Sequence, residues 1–241
     1  MTRLLVLILL LGLAHAETLR VAAAANLSPA LPEVVAAFER AYPGVQVGIT
    51  YGASGQLAEQ VRLGAPFHIF LSASPVYVEH LVQEGKVLEQ RSFARGRLVL
   101  FLPRRLGPVP EGLEALTRPG VRRIVLANPE HAPYGVAALA ALKRSGLYPR
   151  VASRLIFAAN VGQAAQMALQ GADAGLISLA AALHPTLRSR GSYWLVPQTL
   201  HPPLLQVAAL LEDDAGARRF LSFLTSDEAA AIWQRHGLER P

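Results

Sequence analysis

The chain has 241 residues and no Cys, 52% of its residues are hydrophobic, and its formal net charge is +6. Without Cys, disulfides, thiol catalysis and Cys-ligated metal sites are excluded together, so the core alone must supply stability. The 23 basic residues are nearly all Arg, with Lys86 and Lys143 the exceptions, and they are scattered without the aromatic interleaving of a nucleic-acid surface; such a charge favours encounter with anions but names none.

Residues 1–16 read as a signal peptide. Met1-Thr2-Arg3 is a short basic start, Leu4 to Leu13 is apolar, and Ala14-His15-Ala16 is a small-x-small cleavage pattern. The apolar run falls short of the roughly 20 residues needed to cross a bilayer. Export to the periplasm is therefore expected, with a mature chain beginning near Glu17. No Cys follows the run to carry a lipid anchor.

From there strand-like and helix-like segments alternate, the pattern of an α/β fold with mostly parallel sheets. Thr18 to Ala24 predicts a strand that runs into Asn26. Leu31, Val34, Val35, Phe38 and Tyr42 recur at helical spacing until Pro43-Gly44 stops them. Val45 to Thr50 alternates as a strand, and Tyr51-Gly52-Ala53-Ser54-Gly55 turns into a helix that ends at Gly64. Phe67 to Ser72 predicts a third strand, with a helix from Val76 to Gly85. Arg97 to Leu102 predicts a long strand, and the Pro- and Gly-rich stretch from Pro103 to Pro119 reads as a crossover into a second lobe.

Arg123 to Ala127 opens a second set of strand–helix units, with a helix from about Tyr134 to Ser145. Leu155 to Ala158, a helix ending at Gly171, a strand from Ala174 to Ser178 and a short helix from Ala180 to His184 follow. Tyr193 to Val196 and Leu204 to Leu211 return as strands, and a helix pair from Ala215 to His236 closes the chain. The expected architecture is two similar α/β lobes with mixed, mostly parallel sheets, joined by a two-crossing hinge around a ligand cleft. Lobe I takes residues 17–96 and 205–241, and lobe II takes 97–204.

Four strand-to-helix turns have a common chemistry. They are Ala25-Asn26, Ala53-Ser54-Gly55, Ala132-Pro133-Tyr134-Gly135 and Asn160-Val161-Gly162, two in each lobe. In parallel α/β sheets such turns lie at the carboxyl ends of the strands, where crevices bind ligands. Each presents the unpaired N–H groups of a helix N-terminus, which attract anions. Small residues permit close backbone approach, and Asn26, Ser54 and Tyr134 add side-chain donors. Together they predict a cup of donors without Lys, Arg, Asp or Glu. A phosphate that keeps a proton gains from an acceptor, whereas a fully ionised oxyanion needs only donors and oriented dipoles. The donor set therefore points to a dianion without a proton, of any radius.

These turns resemble the periplasmic molybdate-binding proteins of ABC transporters, within the type II periplasmic binding-protein fold. The resemblance spans the mature chain. It is carried by Ala22 to Leu27, Tyr51-Gly52-Ala53-Ser54-Gly55, Gly64-Ala65-Pro66 through Ala73, Asn128-Pro129 through Gly135, Ala159 to Ala164, and Trp233 to Gly237. It implies capture of molybdate or tungstate by Ala25, Asn26, Ser54, Tyr134 and Val161. The metal is then reached through the oxygens of the oxyanion, not by direct coordination. It further implies a monomer with no cofactor, delivering its ligand to an ABC permease and its ATPase. Many family members carry Ser where Asn26 stands and Ala where Tyr134 stands, with a Tyr near the position of Ser178; here Tyr134 is expected to supply that hydroxyl. Ser72 is a supporting candidate, and His131 a structural loop residue near the cup. Two alternatives remain: a binder of sulfate or another small anion, and, in another class, an exported serine-type hydrolase using Ser54, which lacks the Gly-x-Ser-x-Gly elbow.

Overall fold

The computed structural model describes residues 17–109 and 111–241; the expected signal peptide lies outside the described residues. Ten strands fall into two five-stranded sheets. The first contains β1 (Glu17–Ala24), β2 (Val45–Gly52), β3 (Ile69–Ser72), β4 (Glu89–Gly96) and β10 (Leu204–Leu210). The second contains β5 (Leu98–Pro103), β6 (Ile124–Ala127), β7 (Leu155–Ala158), β8 (Ala174–Ser178) and β9 (Gly191–Leu195). Their orders, β2-β1-β3-β10-β4 and β7-β6-β8-β5-β9, are the same pattern repeated. In each, three strands run parallel and a reversed strand follows.

The reversed strands tie the lobes together. β4 in the first sheet continues through Arg97 directly into β5, the reversed strand of the second. β9 returns through residues 196–203 into β10, the reversed strand of the first. The expected two-crossing hinge is present. The stretch 103–119, read from sequence as a crossing, instead links β5 to β6 within the second sheet. Its Pro and Gly content marks an irregular connection, with Leu113 and Leu116 buried in that lobe's core.

Helices pack on both sheets because their apolar positions recur every three or four residues. They are α1 (Leu31–Ala41), α2 (Ser54–Arg62), α3 (Pro75–Gln83), α4 (Pro133–Arg144), α5 (Tyr148–Val151), α6 (Val161–Gln170), α7 (Leu179–Leu183), α8 (Pro185–Arg188), α9 (Ala215–Phe223) and α10 (Asp227–Arg235). Phe38 of α1 meets Phe220 and Phe223 of α9 edge-on at 4.9 and 5.6 Å. Trp233 is buried against Phe93 and donates its indole N–H to the Leu224 carbonyl at 3.1 Å. The C-terminal helix pair thus completes the first lobe, and Glu33 of α1 accepts from both His236 and Arg235 at its end.

Strand β4 was not expected. Its sequence, Glu-Gln-Arg-Ser-Phe-Ala-Arg-Gly, shows no apolar alternation because it is an edge strand: Phe93, Ala94 and Gly96 face inward while Gln90, Arg91 and Ser92 stay exposed. Charged side chains on an edge also discourage pairing with a second chain.

In the second lobe the buried carboxylate of Asp173 staples two connections. It accepts from the N–H groups of Arg122 and Arg123 at 3.0 and 2.9 Å and from the Arg105 guanidinium at 2.7 Å. Burial works to raise its pKa, but the Arg105 hydrogen bond and the two backbone N–H groups outweigh it and hold the carboxyl below its ordinary value. A lowered folded pKa means the unfolded chain binds more protons in acid. The stabilisation is therefore complete above the unfolded pKa of about 3.9 and lost as pH falls through the folded value. Asp173→Asn should cost about 1–3 kcal/mol, lowering the melting temperature by several degrees at neutral pH, with a smaller deficit in acid, as calorimetry would show.

Candidate functional site: a cup of neutral donors between the lobes

The first two parallel strands of each sheet, β1 and β2 in one and β6 and β7 in the other, end at the interface of the lobes. The four turns singled out from sequence leave those strand ends. They surround a small chamber of about 10 Å³ lined by Ala25, Asn26, Ser54, Tyr134 and Val161 among others. All five predicted site residues therefore meet in one place. The chamber lies far below the about 300–1,000 Å³ of typical organic-ligand sites, so the size suits a small ion. Among the described residues, no Lys, Arg, His, Asp or Glu lines the chamber.

Each donor is prepared by its neighbours. Ser54 opens α2, and its Oγ accepts from the Ala73 N–H at 3.0 Å. With its acceptor side engaged, the hydroxyl proton is left to donate. Val161 opens α6, where the cap residue Asn160 accepts from the Gln163 N–H at 2.9 Å and Gln163 Oε1 accepts from the Ala159 N–H at 2.6 Å. This reciprocal cap satisfies N–H groups around the turn and holds the Val161 end of the helix toward the chamber.

Tyr134 follows Pro133 at the start of α4, where a Pro without an N–H is well tolerated. Its side chain is buried, and its hydroxyl lies against Gly96, where a Cβ would overlap it. Burial pushes the phenol well above its ordinary pKa, so the group remains a neutral donor. Gly135 is required beside it, since a Cβ there would overlap the Ala127 carbonyl.

Asn26 lies in a short 3-10 turn after β1 and is 2% exposed. Its Nδ2 donates to Gln206 Oε1 at 3.0 Å, while its Oδ1 is buried without a partner. Such an orphan costs about 1–3 kcal/mol. Gln206 was not singled out from sequence, although a lone amide within the apolar strand Leu-Leu-Gln-Val-Ala-Ala-Leu was the available signal.

Ser178, Ser72 and His131 lie outside the lining. Ser178 caps α7, accepting from the Ala181 N–H at 3.2 Å. Ser72 accepts from the Ser74 N–H at 3.2 Å and donates to the Ser74 carbonyl at 2.7 Å, shaping the turn after β3. His131 acts through its backbone: its carbonyl accepts from the Gly55 N–H of α2 at 2.8 Å, joining the two lobes.

Comparison with known proteins settles the family. The model of the bacterial extracellular solute-binding proteins matches residues 19–239. The chain belongs to that family. It shares 33% identity over 224 residues with the molybdate-binding protein ModA of Rhodobacter capsulatus, covering 90% of this chain and 86% of that one. With ModA of Azotobacter vinelandii it shares 30% identity over 230 residues, covering 93% and 90%. The solved periplasmic molybdate-binding protein of Azotobacter vinelandii superposes with a TM-score of 0.85 at 31% identity, covering 92% of this chain and 99% of that one. The family drawn from the turn motifs and the two-lobed α/β fold are both the ones found.

For a solute-binding protein the Gly55–His131 hydrogen bond is informative, because it forms only when the lobes are together. A Cβ on Gly55 would stand 2.9 Å from the His131 carbonyl oxygen and 3.0 Å from a Tyr77 ring carbon. Gly55→Ala should hold the lobes apart: small-angle scattering in the presence of ligand should show a larger radius of gyration than the wild type, with the melting temperature of the ligand-free protein little changed.

Proposed function

We propose that this solute-binding protein captures molybdate or tungstate in the interlobe cup after export to the periplasm, and delivers it to an ABC permease and its ATPase. The observation that carries the reading is the convergence of uncharged donors on a small chamber of about 10 Å³ between the lobes. The similarity to relatives described as molybdate-binding supports the choice of ion.

The cup offers a charged ligand dipoles and donors in place of a counter-charge. A tetrahedral dianion leaving water must recover its hydration from groups that donate hydrogen bonds. Helix N-termini and hydroxyls do so without a cation, through oriented dipoles and charge-assisted hydrogen bonds. Ser54, Tyr134, the second Nδ2 proton of Asn26, and the backbone N–H groups at Ala25 and Val161 form the proposed set. The metal centre stays inside its oxygens, so no side chain coordinates it and no cofactor is needed. Closure of the lobes is the capture step, and the closed form is what a permease would recognise. The protein acts as a monomer.

A hydrolase reading would need a base within hydrogen-bond reach of Ser54. Among the described residues the lining offers no His or carboxylate, and the Ser54 Oγ is already engaged by Ala73, which supports binding without turnover. Among the described residues no helix is long and apolar enough to cross a membrane.

Calorimetric titration with molybdate, tungstate and sulfate tests the reading; sulfate binding as tight as molybdate binding would overturn it. Hydrogen bonds to charged groups contribute about 1.5–3 kcal/mol, so Ser54→Ala and Tyr134→Phe should each weaken molybdate binding by roughly 10- to 100-fold. The pH profile is a separate check. The raised pKa of Tyr134 means its neutral form is favoured in the folded state; this contribution to stability is full below the unfolded pKa of about 10 and lost as pH rises toward the folded value. With no His or carboxylate in the lining, molybdate affinity should be flat from mildly acidic to mildly alkaline buffer.

A further inference from the structure

Gln206 is a polar residue in the middle of β10 that the cup lining does not account for. It is fully buried and does not line the chamber. A lone amide in such a place is costly unless its polar ends are paired, and both are. Nε2 donates to the Leu204 carbonyl at 2.8 Å, and Oε1 accepts from Asn26 Nδ2 at 3.0 Å.

The order of that relay is not reversible. A backbone carbonyl only accepts, so Leu204 decides which end of the Gln206 amide faces it. The oxygen end is then turned to Asn26, and only an N–H can meet it. The surroundings of Asn26 do not favour this orientation, because they leave Oδ1 buried without a partner. Turning the amide over would relieve the oxygen but would set it against Gln206 Oε1. The orientation is imposed from β10.

The relay starts at the hinge. Leu204 is paired with Gly96 across β10 and β4, and the register between these strands shifts just beyond Gln206. Gly96 is also the residue against which the Tyr134 hydroxyl rests. Polar side chains offered from opposite lobes thus end on the same rung, where one crossing strand leaves the first lobe and the other enters it.

We infer that Gln206 is a positioning residue for ligand capture. It does not touch the ligand; it holds the Asn26 amide with its second N–H available and ties that amide to the Leu204–Gly96 rung. The inference rests on the oxyanion reading above.

A double-mutant cycle read by molybdate titration tests it. Gln206→Leu should weaken binding about tenfold. In an Asn26→Ala background the same substitution should change affinity by less than about twofold, since no amide remains to be positioned. Gln206→Glu in mildly acidic buffer supplies a carboxylic acid that donates to Leu204 and accepts from Asn26, and should bind within about twofold of wild type. Equal losses from Gln206→Leu in both backgrounds, or a Glu variant as weak as the Leu variant, would overturn the assignment. Melting curves accompany each variant; if Gln206→Leu does not fold, Gln206→Met, similar in length but without the hydrogen bonds, takes its place. Failure of the wild type to bind molybdate would sink the oxyanion reading instead, so the two failures are distinct.

Discussion

Each sheet of this protein receives its reversed strand from a crossing of the hinge. β4 runs through Arg97 into β5 of the second sheet, and β9 returns into β10 of the first. The pairing of β10 with β4 at Leu204 and Gly96 is therefore more than a rung of a ladder. It is the rung at which one crossing leaves the first sheet and the other enters it, and groups of the cup from both lobes are referred to it. Tyr134 reaches it from the second lobe, and Asn26 reaches it through Gln206 from the first.

A second consequence follows from the repeated strand order. Because β1 and β2 are neighbours in one sheet and β6 and β7 in the other, each lobe contributes two adjacent turns to the cleft. The field there comes from dipoles whose positions are set by strand spacing and helix starts, not by long flexible side chains. That arrangement suits a charged ligand: preorganised N–H groups need little reordering on binding, and lobe closure excludes the water that would otherwise compete. Gly55 permits the approach, since a Cβ there would meet the His131 carbonyl of the facing lobe, and Gly135 lets α4 start close against the Ala127 carbonyl of its own lobe.

Much of this was legible in the chain. The alternation of strands and helices predicted the fold class, and the small-residue turns predicted that Asn26, Ser54, Tyr134 and Val161 would meet. What was missed has physical reasons. β4 is an edge strand whose exposed face carries Gln90, Arg91 and Ser92, so it has no clean period of two. The stretch 103–119 resembled a linker because its Pro and Gly content marks irregular backbone wherever that backbone lies. Ser178 stands near the position where many family members carry a Tyr, and here it caps a helix.

Composition, periodicity and turn chemistry are local properties, and they determined the absence of disulfides, the α/β class and the identity of the four donor turns. The tertiary structure alone decided where the chain crosses, which amide end Asn26 presents, and that Gln206 and Gly96 belong to the same assembly as the cup. Asn26 and Gln206 are 180 positions apart. No local pattern relates residues at that distance; the return of β10 to the first sheet brings them together, and only then does the direction of one backbone carbonyl become a property of the binding site.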